Sequence, residues 1–137
     1  MNDALRRLVH ERAASACEYY LVPASGLPHP FQVDHIIARQ HGGQTTAENL
    51  ALICPHCNSH KGPNLAGQDP VTGELTRLFH PRRDAWPDHF AWVGHELVGL
   101  TDIGRTTVVV LAMNADSILS FRAALMLDGP YPPTEGG

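Results

Sequence analysis

The segment Phe31–Lys61 reads FQVDHIIARQHGGQTTAENLALICPHCNSHK and sets the architecture predicted for the whole chain. It starts with an apolar, β-branched run that carries the adjacent residues Asp34 and His35. A glycine pair and a second apolar run, Leu50 to Ile53, follow before a turn that contains two cysteines. This order predicts a strand, a loop, a second strand and the beginning of a helix.

Such a fold would bring together three polar side chains that are far apart in sequence: Asp34, His35 and Asn58. A carboxylate and an amide oxygen suit a hard divalent cation, and an imidazole beside them suits a general base. His35 would project from the side of the strand opposite Asp34, so it need not bind the same metal and can face an attacking water. The pattern therefore favours a metal-dependent nuclease.

The loop between the two strands has its own candidate anchor, Asn49. An amide both donates and accepts hydrogen bonds, so Asn49 can pin the backbone of this loop and fix the orientation of His35. The pair Gly42-Gly43 gives the loop its turn.

Length and composition indicate one soluble globular domain, since the chain has 137 residues, 43% hydrophobic and 18% charged. No apolar run approaches the roughly 18 residues of a membrane span, and no apolar segment follows Arg6 and Arg7 as in a secretory signal. An odd cysteine count with a Cys54-x-x-Cys57 spacing favours metal or a redox pair over disulfides. We therefore expect a cytoplasmic protein without membrane contact.

The net charge of −4 does not by itself indicate nucleic-acid binding. Residues 1–66 hold five Lys/Arg and five Asp/Glu, whereas residues 67–137 hold five and nine. A contact surface for DNA would therefore be local.

Periodicity and turn residues predict the remaining elements. We expect a first helix capped by Asn2 or Asp3 and ending near Cys17, and a tight knuckle turn at Cys54–Cys57. The predicted strands cover 31–37, 50–53, 75–79 and 92–100. The predicted helices cover 58–65, 106–111 (a strand is the alternative) and 115–127, with an irregular aromatic segment between 81 and 90.

The motifs VDHIIARQHGG, ENLALIC and CNSHKG resemble the HNH endonuclease family over residues 17–66. The resemblance implies an α+β fold with a small ββα-metal core, an N-terminal helix and a C-terminal α/β extension. We expect one nuclease domain over residues 1–137. Its parts are a helix at 1–16, the core at 17–66, the extension at 67–128 and a loose tail at 129–137.

The resemblance also implies roles for the site residues. His35 would be the general base, Asn49 the structural asparagine of the catalytic motif, and Asp34 with Asn58 the metal ligands. Asn58 stands where many members carry a final histidine, so this is the H-N-N form of the motif. The expected cation is Mg²⁺ or Mn²⁺, with Ni²⁺ or Zn²⁺ as alternatives.

The substrate implied is DNA, cut to a 5′-phosphate and a 3′-hydroxyl. A monomer would nick one strand, and a symmetric dimer could cut both. Candidate phosphate contacts are Arg39, Lys61, Arg82, Arg83 and Arg105, although arginines near an aromatic cluster are as often packing residues. The pieces DPVTGELTRLFHPRRDAWPDHFAW and GLTDIGRTTVVVLAMN also resemble an extension found in some small bacterial HNH proteins.

One departure from the family concerns structural zinc. Many members hold zinc with two Cys-x-x-Cys pairs, but here Cys17 is followed by Tyr20 where the second cysteine is expected. Either a histidine (His10, His56 or His60) joins Cys17, Cys54 and Cys57, or zinc is lost and Tyr20 packs into the vacant corner.

Two other functions compete with the nuclease. A zinc-knuckle module would bind nucleic acid or protein without cutting, but it has no need of a general base. A redox protein built on Cys54 and Cys57 would require a βαβ pattern that is missing around them.

Overall fold

Short helices and two-stranded antiparallel sheets build the structure, a computed structural model that describes residues 1–26, 29–129 and 131. The predicted α+β class is confirmed. The helices are Asp3–Arg12 (α1), Pro55–Lys61 (α2), Trp86–His89 (α3), Asp102–Val110 (α4) and Asp116–Asp128 (α5). The strands are Gln32–His35 (β1), Leu50–Ile53 (β2), Ala66–Gln68 (β3), Leu75–Arg77 (β4), Phe90–Val93 (β5) and Glu96–Gly99 (β6). They pair as β1-β2, β3-β4 and β5-β6.

The ββα unit consists of β1, β2 and α2. In the β1-β2 pair, Asp34 lies opposite Ala51 and His35 opposite Leu50. All four residues of β2 are buried, because the uninterrupted apolar run is covered on both faces. The second strand therefore has the predicted bounds, and the first ends two residues before the predicted Ile37.

The helix of this unit begins at Pro55, three residues before the predicted start. Proline fits the first position of a helix, where no backbone N–H is needed. Cys54 is the N-cap, and its sulfur accepts the backbone N–H of Cys57 at 3.4 Å. The predicted knuckle turn is therefore the first turn of α2. The helix ends at Lys61 because Gly62 has φ of 50°.

The first helix is capped as predicted, with the Asn2 side chain accepting from the backbone N–H of Leu5 at 2.8 Å. It ends at Arg12 and not near Cys17. Ala14 and Ser15 take left-handed φ values of 52° and 57°, which break the helix.

The extension differs from its prediction in several elements. Strand β3 was not predicted, helix α3 lies in the segment that was expected to be irregular, and β4 ends two residues before the predicted end at Phe79. A single strand over 92–100 is wrong, because Gly94, at φ 63°, reverses the chain and makes the β5-β6 hairpin. The β-branched run at 106–111 lies mostly in α4, as predicted. Thr101 caps this helix by accepting the backbone N–H of Gly104 at 3.0 Å.

One cluster of buried side chains joins the ββα unit to the extension; it includes Val9, Leu52, Phe79, Phe90 and Met113. The predicted part boundaries stay a prediction. Of the predicted tail, residues 130 and 132–137 lie outside the described residues. No helix in the described ranges has the length and apolar character to cross a membrane.

Candidate active site

Strand β1 places Asp34 and His35 on opposite faces, as the alternation of side chains along a strand requires. Asp34 faces the core and is 7% exposed. His35 is half-buried, and its Nε2 lies 2.9 Å from Oγ1 of Thr45 in the long loop. The two neighbouring residues therefore have different surroundings: Asp34 is shielded from solvent, and His35 is accessible to it.

The Asp34 carboxylate has two partners. The Tyr19 hydroxyl donates to Oδ2 at 3.0 Å, and the Lys61 ammonium lies 3.1 Å from Oδ2 and 3.3 Å from Oδ1. Burial raises the pKa of Asp34, while Lys61 and Tyr19 act in the opposite direction. The group is therefore a buried acid whose charge depends on one lysine.

Lys61 is 1% exposed, so it is not the solvated phosphate contact that the sequence suggested. Besides Asp34, its ammonium donates to the carbonyl oxygens of His35 at 3.4 Å and Ile36 at 3.2 Å. Three acceptors match its three protons. Lys61 thus joins the end of α2 to β1 and the residue that follows it.

Asn49 holds the loop between β1 and β2. Its Oδ1 accepts the backbone N–H of Ile37 at 2.9 Å, and its Nδ2 donates to the carbonyls of Ile37 at 3.0 Å and Gln44 at 2.9 Å. Gly43 lies under this amide, where a Cβ would come 1.6 Å from the Ile37 carbonyl oxygen. The loop that carries Thr45 is therefore fixed from both ends.

Asn58 is half-buried on α2, three residues before Lys61. Residues at this spacing share a helix face, so Asn58 lies on the face whose next turn reaches Asp34. Among the described residues its side chain has no hydrogen-bond partner, which leaves its amide oxygen free as a ligand.

These donors fit a hard divalent cation. An ionised carboxylate offers about four lone-pair positions, and Asp34 uses two on Oδ2 and one, at the longer 3.3 Å, on Oδ1. Oδ1 of Asp34 and the Asn58 amide oxygen are the kind of ligand that Mg²⁺ and Mn²⁺ prefer. A metal ion bound to Asp34 would have to share this carboxylate with the positively charged Lys61 ammonium.

One known family matches part of the chain. Residues 22–64 match the family model of the HNH endonucleases. The match spans about a third of the chain and includes Asp34, His35, Asn49, Asn58 and Lys61. No curated protein and no solved structure matches the chain. The HNH segment supports a nuclease-type function, and the family implies a nucleic-acid substrate and a divalent metal.

The three cysteines form a second candidate metal centre. The sulfurs of Cys17, Cys54 and Cys57 lie within 4.8 Å of one another, and all three residues are fully buried. Hydrogen bonds from the other two thiols lower the pKa of Cys54, while burial raises the pKa of Cys17. The cluster could hold a metal such as zinc.

Tyr20 contacts this cluster, with its hydroxyl 3.0 Å from the Cys54 sulfur. The nearby His56 stacks on the Tyr20 ring, and its Nε2 lies 2.8 Å from the Ala112 carbonyl oxygen. Among the described residues, the cluster of possible metal ligands contains the three cysteines and no histidine. The Tyr20 hydroxyl, at the position where a cysteine is expected, is thus a fourth polar group at this cysteine cluster.

The candidate phosphate contacts divide into two groups. Arg82 forms an ion pair with Glu18, and Arg105 donates two hydrogen bonds, of 3.0 and 2.7 Å, to the Asp69 carboxylate. Arg39 and Arg83 are exposed and have no ion-pair partner among the described residues. These two remain free to meet an anion.

Sequence reasoning missed the partners of Asp34. Tyr19 lies 15 residues and Lys61 27 residues away along the chain. The spacing of Asn58 and Lys61 on one helix face was the available signal for Lys61. Nothing in the pattern distinguished Tyr19 from Tyr20.

The Asp34–Lys61 ion pair predicts a stability effect. Lys61→Met leaves a buried carboxylate without its counter-charge, so we expect a loss of about 3–5 kcal/mol in the free energy of unfolding. The double variant Asp34→Leu, Lys61→Met should recover most of this loss, as measured by urea denaturation. A single variant as stable as the wild type would contradict the pair.

The cysteine cluster predicts a gain of zinc. We expect protein purified without chelator to hold well under one equivalent of zinc, because Tyr20 replaces a thiolate ligand. Tyr20→Cys completes a four-cysteine set and should hold about one equivalent. Tyr19→Phe is the matched control, and metal analysis is the measurement. One equivalent in the wild type that survives dialysis against EDTA would contradict this account.

Proposed function

We propose that this protein is a metal-dependent endonuclease that hydrolyses phosphodiester bonds in DNA. The observation that carries the proposal is the position of His35. His35 directly follows the buried Asp34 in β1, is partly open to solvent and contacts Thr45, and it lies within a segment that matches the HNH endonucleases.

In this proposal His35 is the general base. A neutral imidazole has one N–H and one free nitrogen lone pair. With the Nε2 proton donated to Thr45, Nδ1 can take the proton of an attacking water. The water then attacks phosphorus, the bond to the 3′ oxygen breaks, and that oxygen takes a proton from solvent, which leaves a 5′-phosphate and a 3′-hydroxyl.

The remaining roles belong to Asp34, Asn58 and Asn49. Asp34 and Asn58 would hold one Mg²⁺ or Mn²⁺ ion, with Ni²⁺ or Zn²⁺ as alternatives. When bound, the ion supplies charge neutralisation at the phosphate and stabilises the leaving oxygen. Asn49 is a positioning residue, because its three hydrogen bonds act on the loop and not on substrate.

Local charge supports DNA as the substrate despite the net charge of −4. Arg39 follows β1 and Arg83 belongs to the extension, and both are exposed. Exposed arginines are suited to phosphate oxygens, and each such contact makes binding dependent on salt. We propose a cytoplasmic location, because the odd cysteine count and the Cys54-x-x-Cys57 spacing favour metal or a redox pair over disulfides.

His35→Ala should reduce cleavage about 10²- to 10⁴-fold, as for a lost general base. The measurement is nicking of supercoiled plasmid with Mg²⁺ or Mn²⁺ and with EDTA as the blank. His41→Ala is the matched control, because His41 is an exposed histidine of the same loop. A His35→Ala protein that nicks at the wild-type rate would refute the mechanism. DNA binding without any cleavage by the wild type would favour the zinc-knuckle binding module.

A further inference from the structure

A cavity of about 330 Å³ lies between the end of α2 and the extension. We call it the β4 pocket, because one of its walls is formed by Arg77, the last residue of β4, and by the three residues that follow it. Its lining includes Ile37, Lys61, Leu65, Phe79, His80 and Arg83. None of the residues that line it is a carboxylate, and Asp34, His35 and Asn58 are not among them. The pocket is therefore separate from the three proposed catalytic groups.

Lys61 connects the two places. Its side chain lines the pocket and its ammonium touches Asp34 and the carbonyl oxygens of His35 and Ile36. Ile36 and Ile37, which directly follow His35, also line the pocket. A group bound there would lie next to the chain segment that carries the proposed base.

The pocket has an apolar side and a cationic side. Ile37, Leu65 and Phe79 supply apolar surface. Arg77 also lines the pocket, but its charge is matched by Asp84 through hydrogen bonds of 2.8 and 2.9 Å. Arg83 has no acidic partner among the described residues, so it gives the pocket an unmatched positive charge.

His80 adds a directed donor. Its Nδ1 accepts the backbone N–H of Arg82 at 3.2 Å, so the neutral ring carries its proton on Nε2. Burial and the nearby Arg83 lower the pKa of His80, which keeps the ring neutral near pH 7. An imidazole N–H in an otherwise apolar wall can bind a carbonyl or ring-nitrogen acceptor.

We propose that the β4 pocket takes one unpaired nucleotide of the DNA strand that is cut. The volume reaches the lower end of the range for small-molecule sites, which is about 300 Å³. The base would lie against the apolar wall with an edge acceptor on His80, and Arg83 would meet its phosphate. A base can enter such a pocket only after leaving its stack, so single-stranded or distorted DNA is the preferred substrate.

This inference rests on the proposed function for the cutting step but not for nucleotide binding. Binding of a labelled single-stranded oligonucleotide is therefore measured on the His35→Ala protein. The variant Leu65→Trp fills the pocket, because Leu65 is 40% exposed at its edge. Leu127→Trp is the matched control, because Leu127 is 89% exposed on α5 and lines none of the pocket.

We expect Leu65→Trp to weaken single-strand binding about tenfold or more, because the indole would occupy the space of the base and remove its contact with protein. Duplex binding should change less. Deoxyadenosine monophosphate should compete with the oligonucleotide, and inorganic phosphate at the same concentration should not. Equal single-strand binding by the two tryptophan variants, or equal competition by phosphate, would overturn the proposal.

A second pair of variants covers misfolding of Leu65→Trp. Arg83→Gln should weaken single-strand binding several-fold, while Arg7→Gln, an exposed arginine on α1, should not. Nucleotide binding that is lost in Arg83→Gln while wild-type cleavage is absent would uphold the pocket and reject the nuclease. Cleavage that requires His35 but is unchanged in Arg83→Gln and Leu65→Trp would uphold the nuclease and reject the pocket.

Discussion

The contact between Asp34 and Lys61 is the constraint on which the site depends. It joins β1 to the last turn of α2 at 3.1 Å, with both side chains almost fully buried. A buried pair is not evidence of high stability by itself, because desolvation offsets much of the attraction. Its consequence is geometric. The strand can bind this helix in one register only, since a shift by one residue would bury His35 and expose Asp34.

That register gives the two residues of one dipeptide, Asp34 and His35, different surroundings. Asp34 is held in a dry environment by Tyr19 and Lys61, whereas His35 stays in reach of solvent beside Thr45. Asn49 fixes the loop that supplies Thr45. The extension then adds what the ββα unit lacks: a wall of the β4 pocket and an exposed arginine near the end of α2.

Local patterns predicted those elements whose cause is local. Strand β2 and the Asn2 cap of α1 could be predicted from the sequence, because each depends on residues that are close together along the chain. The start of α2 at Pro55 also has a local cause, but the Cys54-x-x-Cys57 pattern led us to predict a knuckle turn there. The Asp34–Lys61 contact could not be predicted from the sequence, because 27 residues separate the two residues and lysine is a common surface residue. The contact of Tyr20 with the cysteines likewise depends on packing.

We propose that one divalent cation binds between Asp34 and Asn58. Crystals soaked in Mn²⁺ would test it most directly through the anomalous signal of the metal. We expect one strong peak about 2.0–2.3 Å from a carboxylate oxygen of Asp34 and from the amide oxygen of Asn58. A peak that lies elsewhere, or no peak at millimolar Mn²⁺ with the Asp34–Lys61 pair intact, would contradict the account.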